Sequence, residues 1–423
     1  MTTLLVTNDF PPTVGGIQSY LRDFTGEIVR LLGPESLVVF ASTQDKQGSA
    51  LFDATVPFPV HRWPSTVMLP TPATVRRMSA LIREHDIRTV WFGASAPLAV
   101  MAPAARRAGA ARIVATTHGH EVGWSMLPGA RQVLRRIGAS ADTVTYVSEF
   151  TFNRFHRAFG SHPEFVHLPS GVDIDFFRPA TDGQRAAARR RNNLGAGPLV
   201  VVASRLVPRK GQDRLIECWP TVRDAVPGAK LAVVGQGSYG KYLRRLAARH
   251  GVEDDVCFLG RLPREEMRDV VAAADVMAMP ARTRGGGLDV EGLGIVYLEA
   301  QACAVPVIAG DSGGAPETVT PSTGVVVGGR DTRALTEALS ALLVDAPLEI
   351  PVPSLGQPCP PPLCSVRAFH LQAFVPAPRA LRCGCADRRV RALLRRPPLT
   401  RARGPGSAPL PRGGGDRGPR LRP

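Results

Sequence analysis

The chain has 423 residues, 44 % of them hydrophobic, which suits two α/β domains with full cores. Fifty-two basic residues against 36 acidic ones give a formal charge of +16. No run of 18 consecutive apolar residues occurs, which excludes a spanning hydrophobic helix, and the first residues read as a core strand rather than a signal peptide.

In chain order, Thr3–Thr7 is expected to be a strand. The loop Asn8-Asp-Phe-Pro-Pro-Thr-Val-Gly-Gly16 follows. Ile17, Leu21, Phe24, Ile28 and Leu32 then recur at three- to four-residue spacing, the mark of a helix with one buried face. Gly15 and Gly16 at this junction would let backbone approach a ligand, although a tight turn explains them equally well. Further strands are expected at Leu37–Ala41, Thr89–Phe92, Arg112–Thr116, Thr143–Val147 and Glu164–Leu168, with helical patterns between several of them. Such alternation implies a doubly wound parallel sheet. The segment Asp175-Phe-Phe-Arg-Pro179 leads into a polar, Arg-rich stretch, Gln184 to Asn193, read as a connection. A second series starts at Leu199 and continues through Leu231–Val234, Val256–Leu259, Val276–Met279 and Pro306–Ala309. The expected organisation is a first domain at 1–178, a linker at 179–197, a second domain at 198–346 and a tail at 347–423.

The most informative segment is Glu291-Gly-Leu-Gly-Ile-Val-Tyr-Leu-Glu299, two carboxylates eight positions apart around a Gly-rich turn. If a helix begins near Gly294, Glu299 lies between one and two turns inside it and Glu291 stays on the loop in front. The first N–H groups of such a helix lack partners and attract phosphate. The carboxylates can accept hydrogen bonds from hydroxyls on either side of that phosphate. A phosphate between two polyols describes a nucleotide sugar, and a surface loop leading into an ordinary helix is the bland alternative. Upstream, Arg205 and Lys210 follow the buried strand Leu199-Val-Val-Val-Ala203, at the carboxyl end where open α/β sheets bind ligands. Arg offers a fork and Lys a point charge to a diphosphate. His118 is delivered to a strand end by Ile113-Val-Ala-Thr-Thr117. His120 and Glu121 could orient it, meet an acceptor, or serve only as loop contacts.

These segments, with the turn Pro169-Ser-Gly-Val-Asp173, occur in an order that resembles the retaining glycosyltransferases of the GT-B fold, from residue 1 to about residue 345. Within that group, Thr117-His-Gly-His-Glu-Val-Gly-Trp124 and Glu291 through Ala302 look like the actinobacterial, GDP-mannose-dependent phosphatidylinositol monomannoside mannosyltransferases. The resemblance implies two Rossmann-like domains facing a central cleft. It implies that Arg205 and Lys210 hold the donor diphosphate and that Glu299 binds the ribose. Glu291 would bind mannose hydroxyls, aided by the N–H groups of Leu293, Gly294 and Ile295. His118 would face the donor sugar from across the cleft, Gly16 would approach the phosphates, and Arg261 would lie where the base is cradled. It implies GDP-mannose as donor, a phosphatidylinositol-based glycolipid acceptor, no metal or other cofactor, no nucleic-acid partner and a place at the inner membrane surface.

Asp173-Ile-Asp175 has the D-x-D spacing of some metal-dependent glycosyltransferases, but it follows a turn near the expected linker. Cys218, Cys257 and Cys303 lie far apart among apolar residues, and Cys383-Gly-Cys385 has the wrong loop length for a zinc knuckle. Arg76, Arg77, Arg83, Arg106, Arg107, Arg131, Arg135 and Arg136 form a candidate cationic face for anionic lipid, or ordinary solvated helix faces.

Residues 347–423 break the pattern. They carry 14 Arg, no Lys and three acidic residues, hence +11 of the +16, with 16 of the 39 Pro and four of the seven Cys. Such a segment cannot bury enough apolar surface to fold alone. It reads as the product of a shifted reading frame in GC-rich DNA, or as a natural basic tail for lipid or nucleic acid. Two functional alternatives stay open at this point. One is a related transferase with another donor, such as UDP-glucose, or another glycolipid acceptor. The other is an inactive remnant or a basic lipid- or nucleic-acid-binding protein.

Overall fold

The computed structural model describes residues 2–344; the 347–423 tail lies outside the described residues. Two wholly parallel sheets form. The first contains β1 (Thr3–Thr7), β2 (Leu37–Ser42), β3 (Val60–Trp63), β4 (Thr89–Phe92), β5 (Arg112–Thr116), β6 (Thr143–Tyr146) and β7 (Glu164–His167). Its strands lie in the order β3-β2-β1-β4-β5-β6-β7. The second contains β8 (Leu199–Ala203), β9 (Lys230–Val234), β10 (Val256–Gly260), β11 (Val276–Met279), β12 (Val307–Gly310) and β13 (Gly324–Val327), ordered β10-β9-β8-β11-β12-β13. This is the two-sheet Rossmann-like plan that the alternating sequence implied. In each sheet the order reverses beside the first strand of the half, between β1 and β4 and between β8 and β11, and ligands of open α/β sheets bind at such points.

Successive residues of β1 feed opposite faces, as the strand period requires. Leu4 and Val6 join one apolar cluster with Phe40 and Met78, while Leu5 joins another with Leu21, Phe24 and Trp91. The second half packs one continuous core around Val200, Val201, Val202 and Trp219. Val172 and Phe177 already belong to that core.

Two edge strands escaped the sequence reading. None of the residues of β3 is fully buried, and Val325 and Val326 of β13 are both exposed, so neither carries the apolar run of a central strand. The Arg-rich stretch expected as a connection is the helix Asp182–Arg191, opened by a capping box between Thr181 and Gln184. Arg185 and Arg189 both reach Asp275, and they donate to the carbonyls of Ala272, Ala273 and Ala274. The orphan carbonyls ending the helix Arg264–Ala272 are thereby satisfied by cations.

The halves meet around the loop Val290–Leu293. Val290 packs into one apolar cluster of the first half and Leu293 into the other. Ser148 Oγ donates to Gly292 O at 2.8 Å. Glu317 accepts from the N–H groups of Glu149 and Phe150, which open the helix Glu149–Phe159.

Candidate active site

The second half supplies the charged side of the cleft. Arg205 follows β8 and is exposed. Its turn is fixed by the Gln212 amide, which donates to Ser204 Oγ at 2.9 Å and to Arg205 O at 3.0 Å. Gly211 (φ 78°) passes so close to Pro280 that a Cβ would lie 2.1 Å from its carbonyl oxygen. That approach places the short turn Pro208–Lys210 beside the Glu291 loop. Lys210 Nζ lies 2.7 Å from Glu291 Oε2, and Arg209 Nη1 lies 2.6 Å from the same oxygen. Burial alone would raise the Glu291 carboxyl, but Lys210 and Arg209 outweigh it and hold the group below its usual range. Burial pulls the Lys210 ammonium below its usual value, against the opposing charge of Glu291. Sequence reading assigned Lys210 to phosphate; here the ammonium rests on Glu291. Arg209 was not singled out at all, because one more cation in Pro-Arg-Lys-Gly carries no distinguishing signal.

The helix Ile295–Ala302 begins where expected, after Gly294 (φ 89°), whose Cβ would strike the Tyr297 ring at 2.4 Å. The backbone N–H groups of Gly294 and Ile295 lie at this helix start, immediately after the buried Leu293. Glu299 lies on the second turn. Its carboxyl is pushed up to about 7 by burial and then by the charge of Asp23, with Arg264 and Arg22 opposing. Arg22 and Asp23 belong to the helix Gly16–Leu32 of the first half, so the electrostatic surroundings of Glu299 come from both halves. Gly16 starts that same helix and a Cβ there would lie 3.9 Å from Ile295 Cδ1, which sets it across from the helix end.

The first half brings His118 from the end of β5. His118 Nε2 lies 2.7 Å from Gly93 O, so that nitrogen carries the proton and Nδ1 is the unprotonated one. Tyr20 meets the ring edge-on at 5.0 Å. Burial pulls the imidazole down to about 4, which makes it neutral near pH 7. Glu121 is fully buried. It accepts from the N–H groups of His118 and Gly119 at 3.1 Å each and from Ser95 Oγ at 2.7 Å. These bonds tie Glu121 to the backbone of the His118 turn. His120 Nε2 lies 3.2 Å from Glu121 Oε1, with its side chain 37 % exposed. Gly119 (φ 106°) abuts Gly292: a Cβ on Gly119 would lie 2.8 Å from Gly292 Cα, and one on Gly292 would lie 2.2 Å from His118 O. The His118 turn and the Glu291 loop therefore touch through bare backbone.

Asp9, just past β1, is a further group that sequence reading passed over. Its Oδ1 accepts from Gln18 Nε2 at 3.0 Å. Burial raises its carboxyl, and His120 and Arg205 lower it, so it stands between the two halves electrostatically. Its place after the first strand was the available signal.

A cavity of about 280 Å³ opens beside β9 and β10, lined by Gly235, Gln236, Gly237, Lys241, Phe258 and Gly260 among others. Arg244 stacks over the Phe258 ring at 4.4 Å. Arg261 follows directly on Gly260 and is exposed. Among the described residues no group of three or more His, Cys, Asp or Glu is placed to hold a metal. Asp173 Oδ1 instead accepts from the N–H groups of Asp175 and Phe176, an Asx turn.

Two family models match, "Glycosyltransferase Family 4" over residues 14–176 and "Glycosyl transferases group 1" over residues 184–350. The chain is 59 % identical over 344 residues, 81 % of its length, to a GDP-mannose-dependent monoacylated alpha-(1-6)-phosphatidylinositol monomannoside mannosyltransferase of Corynebacterium glutamicum, 89 % of which is covered. The chain belongs to this family of retaining GT-B mannosyltransferases. The Mycobacterium tuberculosis member is 53 % identical over 358 residues, 84 % of this chain and 92 % of that one. A crystal structure of Anabaena HepE with UDP and glucose superposes with a TM-score of 0.68, at 20 % identity over 82 % of this chain and 90 % of that chain. Sucrose-phosphate synthase of Thermosynechococcus elongatus gives 0.67 at 22 % identity, with the same coverage. These two likenesses confirm the GT-B fold that the family implies.

Proposed function

We propose that the chain transfers mannose from GDP-mannose to phosphatidylinositol monomannoside, forming an α-1,6 linkage with retention at the anomeric carbon. What carries the reading is the match to mannosyltransferases of that specificity along both halves, with the Glu291 loop lying at their junction. Arg205 and Lys210 take the diphosphate, joined by the N–H groups opening the helix Ile295–Ala302. Glu299 accepts from ribose hydroxyls and Glu291 from mannose hydroxyls, beside the N–H groups of Leu293, Gly294 and Ile295. The base enters the cavity lined by Gly260, with Arg261 the next residue in the chain. His118, neutral and fixed by Gly93, presents Nδ1 from the first half as an acceptor. Gly16 lets backbone approach the phosphates.

In this scheme the bond from the anomeric carbon to the diphosphate oxygen breaks as the acceptor hydroxyl oxygen attacks the same face. The hydroxyl proton passes to the departing phosphate oxygen. Preorganised cations stabilise the leaving diphosphate, the work a metal ion does in other transferases. The side chains that hold both substrates remove the entropic part of the barrier.

The acceptor is a lipid with an anionic phosphate, and the first half offers a surface for a membrane. The helix Pro128–Gly138 exposes Arg131, Arg135 and Arg136, directly after the exposed Met126 and Leu127. Arg77 and Arg106 contribute less, being engaged with Glu84 and Asp142. No helix of the described residues is long and apolar enough to cross a membrane, which suits peripheral contact at the inner face.

The deciding experiment is turnover of GDP-mannose by the purified chain with phosphatidylinositol monomannoside in anionic vesicles, alongside calorimetric titration with GDP and UDP. Mannolipid formation and tighter binding of GDP support the reading. Tighter binding of UDP would sink the mannosyl assignment.

A further inference from the structure

Arg209 touches both Glu291 and Asp289. Its Nη1 donates to Glu291 Oε2 at 2.6 Å. Its Nε lies 2.8 Å from Asp289 Oδ1, in ion-pair contact off the N–H line. Its carbonyl accepts from Arg282 N at 2.9 Å, so the backbone is tied into the same strip. Arg284 and Asp289 close a small antiparallel hairpin: Arg284 N donates to Asp289 O at 2.9 Å and Asp289 N to Arg284 O at 3.2 Å. The tip of this hairpin reaches the first half. A Cβ on Gly123 would lie 2.7 Å from Leu288 O, and one on Gly287 would lie 2.9 Å from Arg154 Nη2.

Glu291 has two cationic partners in this structure and only one of them is free to stay. On the reading above, Lys210 must turn to the diphosphate when the donor binds. The carboxylate it leaves behind is buried, and an unpaired buried carboxylate gains a proton or a new rotamer. We propose that Arg209 is a positioning residue that keeps Glu291 ionised and aimed at the sugar once Lys210 has moved, and that it ties Glu291 through Asp289 to the hairpin touching the first half. This inference rests on the assignment of Glu291 to the donor sugar. Arg is required because its fork reaches two carboxylates at once, whereas Lys offers one point charge.

The test is calorimetric affinity for GDP and for GDP-mannose in the full chain, with Arg209→Lys, Asp289→Asn and the double variant. Arg209→Lys keeps the charge and spares the fold. It should leave GDP affinity unchanged and weaken GDP-mannose about tenfold, the scale of one charge-assisted hydrogen bond lost. Asp289 is half-exposed, so Asp289→Asn should weaken GDP-mannose by no more than about fivefold. The double variant should be no worse than Arg209→Lys alone. Equal losses for GDP and GDP-mannose, or no loss for either, would overturn the positioning role. An additive double variant would overturn the tie through Asp289. Failure of the parent reading shows separately, as wild-type protein that gains nothing from the mannose.

Discussion

The affinity for GDP-mannose should depend on pH through Glu299. Its carboxyl is raised to about 7, by burial first and by Asp23 second. Ribose hydroxyls donate, so the ionised carboxylate is the stronger acceptor. With a pKa of about 7, about one molecule in eleven is ionised at pH 6 and about ten in eleven at pH 8. Apparent affinity scales with the competent fraction, so it should rise about tenfold between those values. The sign is fixed by the group: an acid with a raised pKa gains its binding-competent form as pH rises. His118 adds nothing to the slope, because a group held near 4 is neutral throughout the range. The assay is calorimetry with GDP-mannose, whose diphosphate does not titrate there. Glu299→Gln should flatten the profile, and Asp23→Asn should move the rise to lower pH. A flat wild-type profile, or the same slope in Glu299→Gln, refutes the assignment of Glu299 to the ribose.

Two further outcomes follow from the same geometry and a third from the composition of the tail. Lys210→Ala should lower kcat/KM by at least ~2 kcal/mol of transition-state stabilisation, and Arg209 still pairs Glu291, so melting should change little; near-normal turnover would show that Lys210 only neutralises Glu291. Glu121→Ala strands Ser95 Oγ and the N–H groups of His118 and Gly119, and should cost about 3 kcal/mol in urea unfolding, with Glu121→Gln milder; an unchanged midpoint would remove Glu121 from the role of orienting the His118 turn. Deleting residues 347–423 should leave donor affinity and mannose transfer as they are in the full chain, both being weak if the frame is shifted there; a truncated chain that loses activity would show the tail to be functional.

Central strands were legible because both faces of a parallel sheet are covered, and Leu199-Val-Val-Val-Ala203 has no other comfortable home. Bounds differed by a residue where a strand runs on into a turn, as at Ser42 and Gly260. The edge strands β3 and β13 were hidden because an edge needs no apolar run. The helix Asp182–Arg191 was hidden because its stabilising carbonyls and Asp275 lie more than 80 residues away in sequence. At the candidate site, spacing pointed to Glu291, Glu299 and Lys210, and it placed the helix start after Gly294 where the structure has it. What spacing could not give was the pairing of Lys210 with Glu291, the burial of Glu121, or the approach of Asp9 to Arg205. Those depend on which halves face each other, and no periodicity encodes that.

The seating of Val290 and Leu293 has a mechanical consequence. Each flanks the Glu291-Gly292 pair, and each, though part of the second half, is anchored in a different apolar cluster of the first. Parting the halves would uncover both side chains, at about 1.5–3 kcal/mol apiece. Such a toll opposes opening of the gap in the absence of any ligand. The carboxylate of Glu291 is thus held like a wire between two posts, its place set by two hydrocarbon side chains with no chemistry of their own.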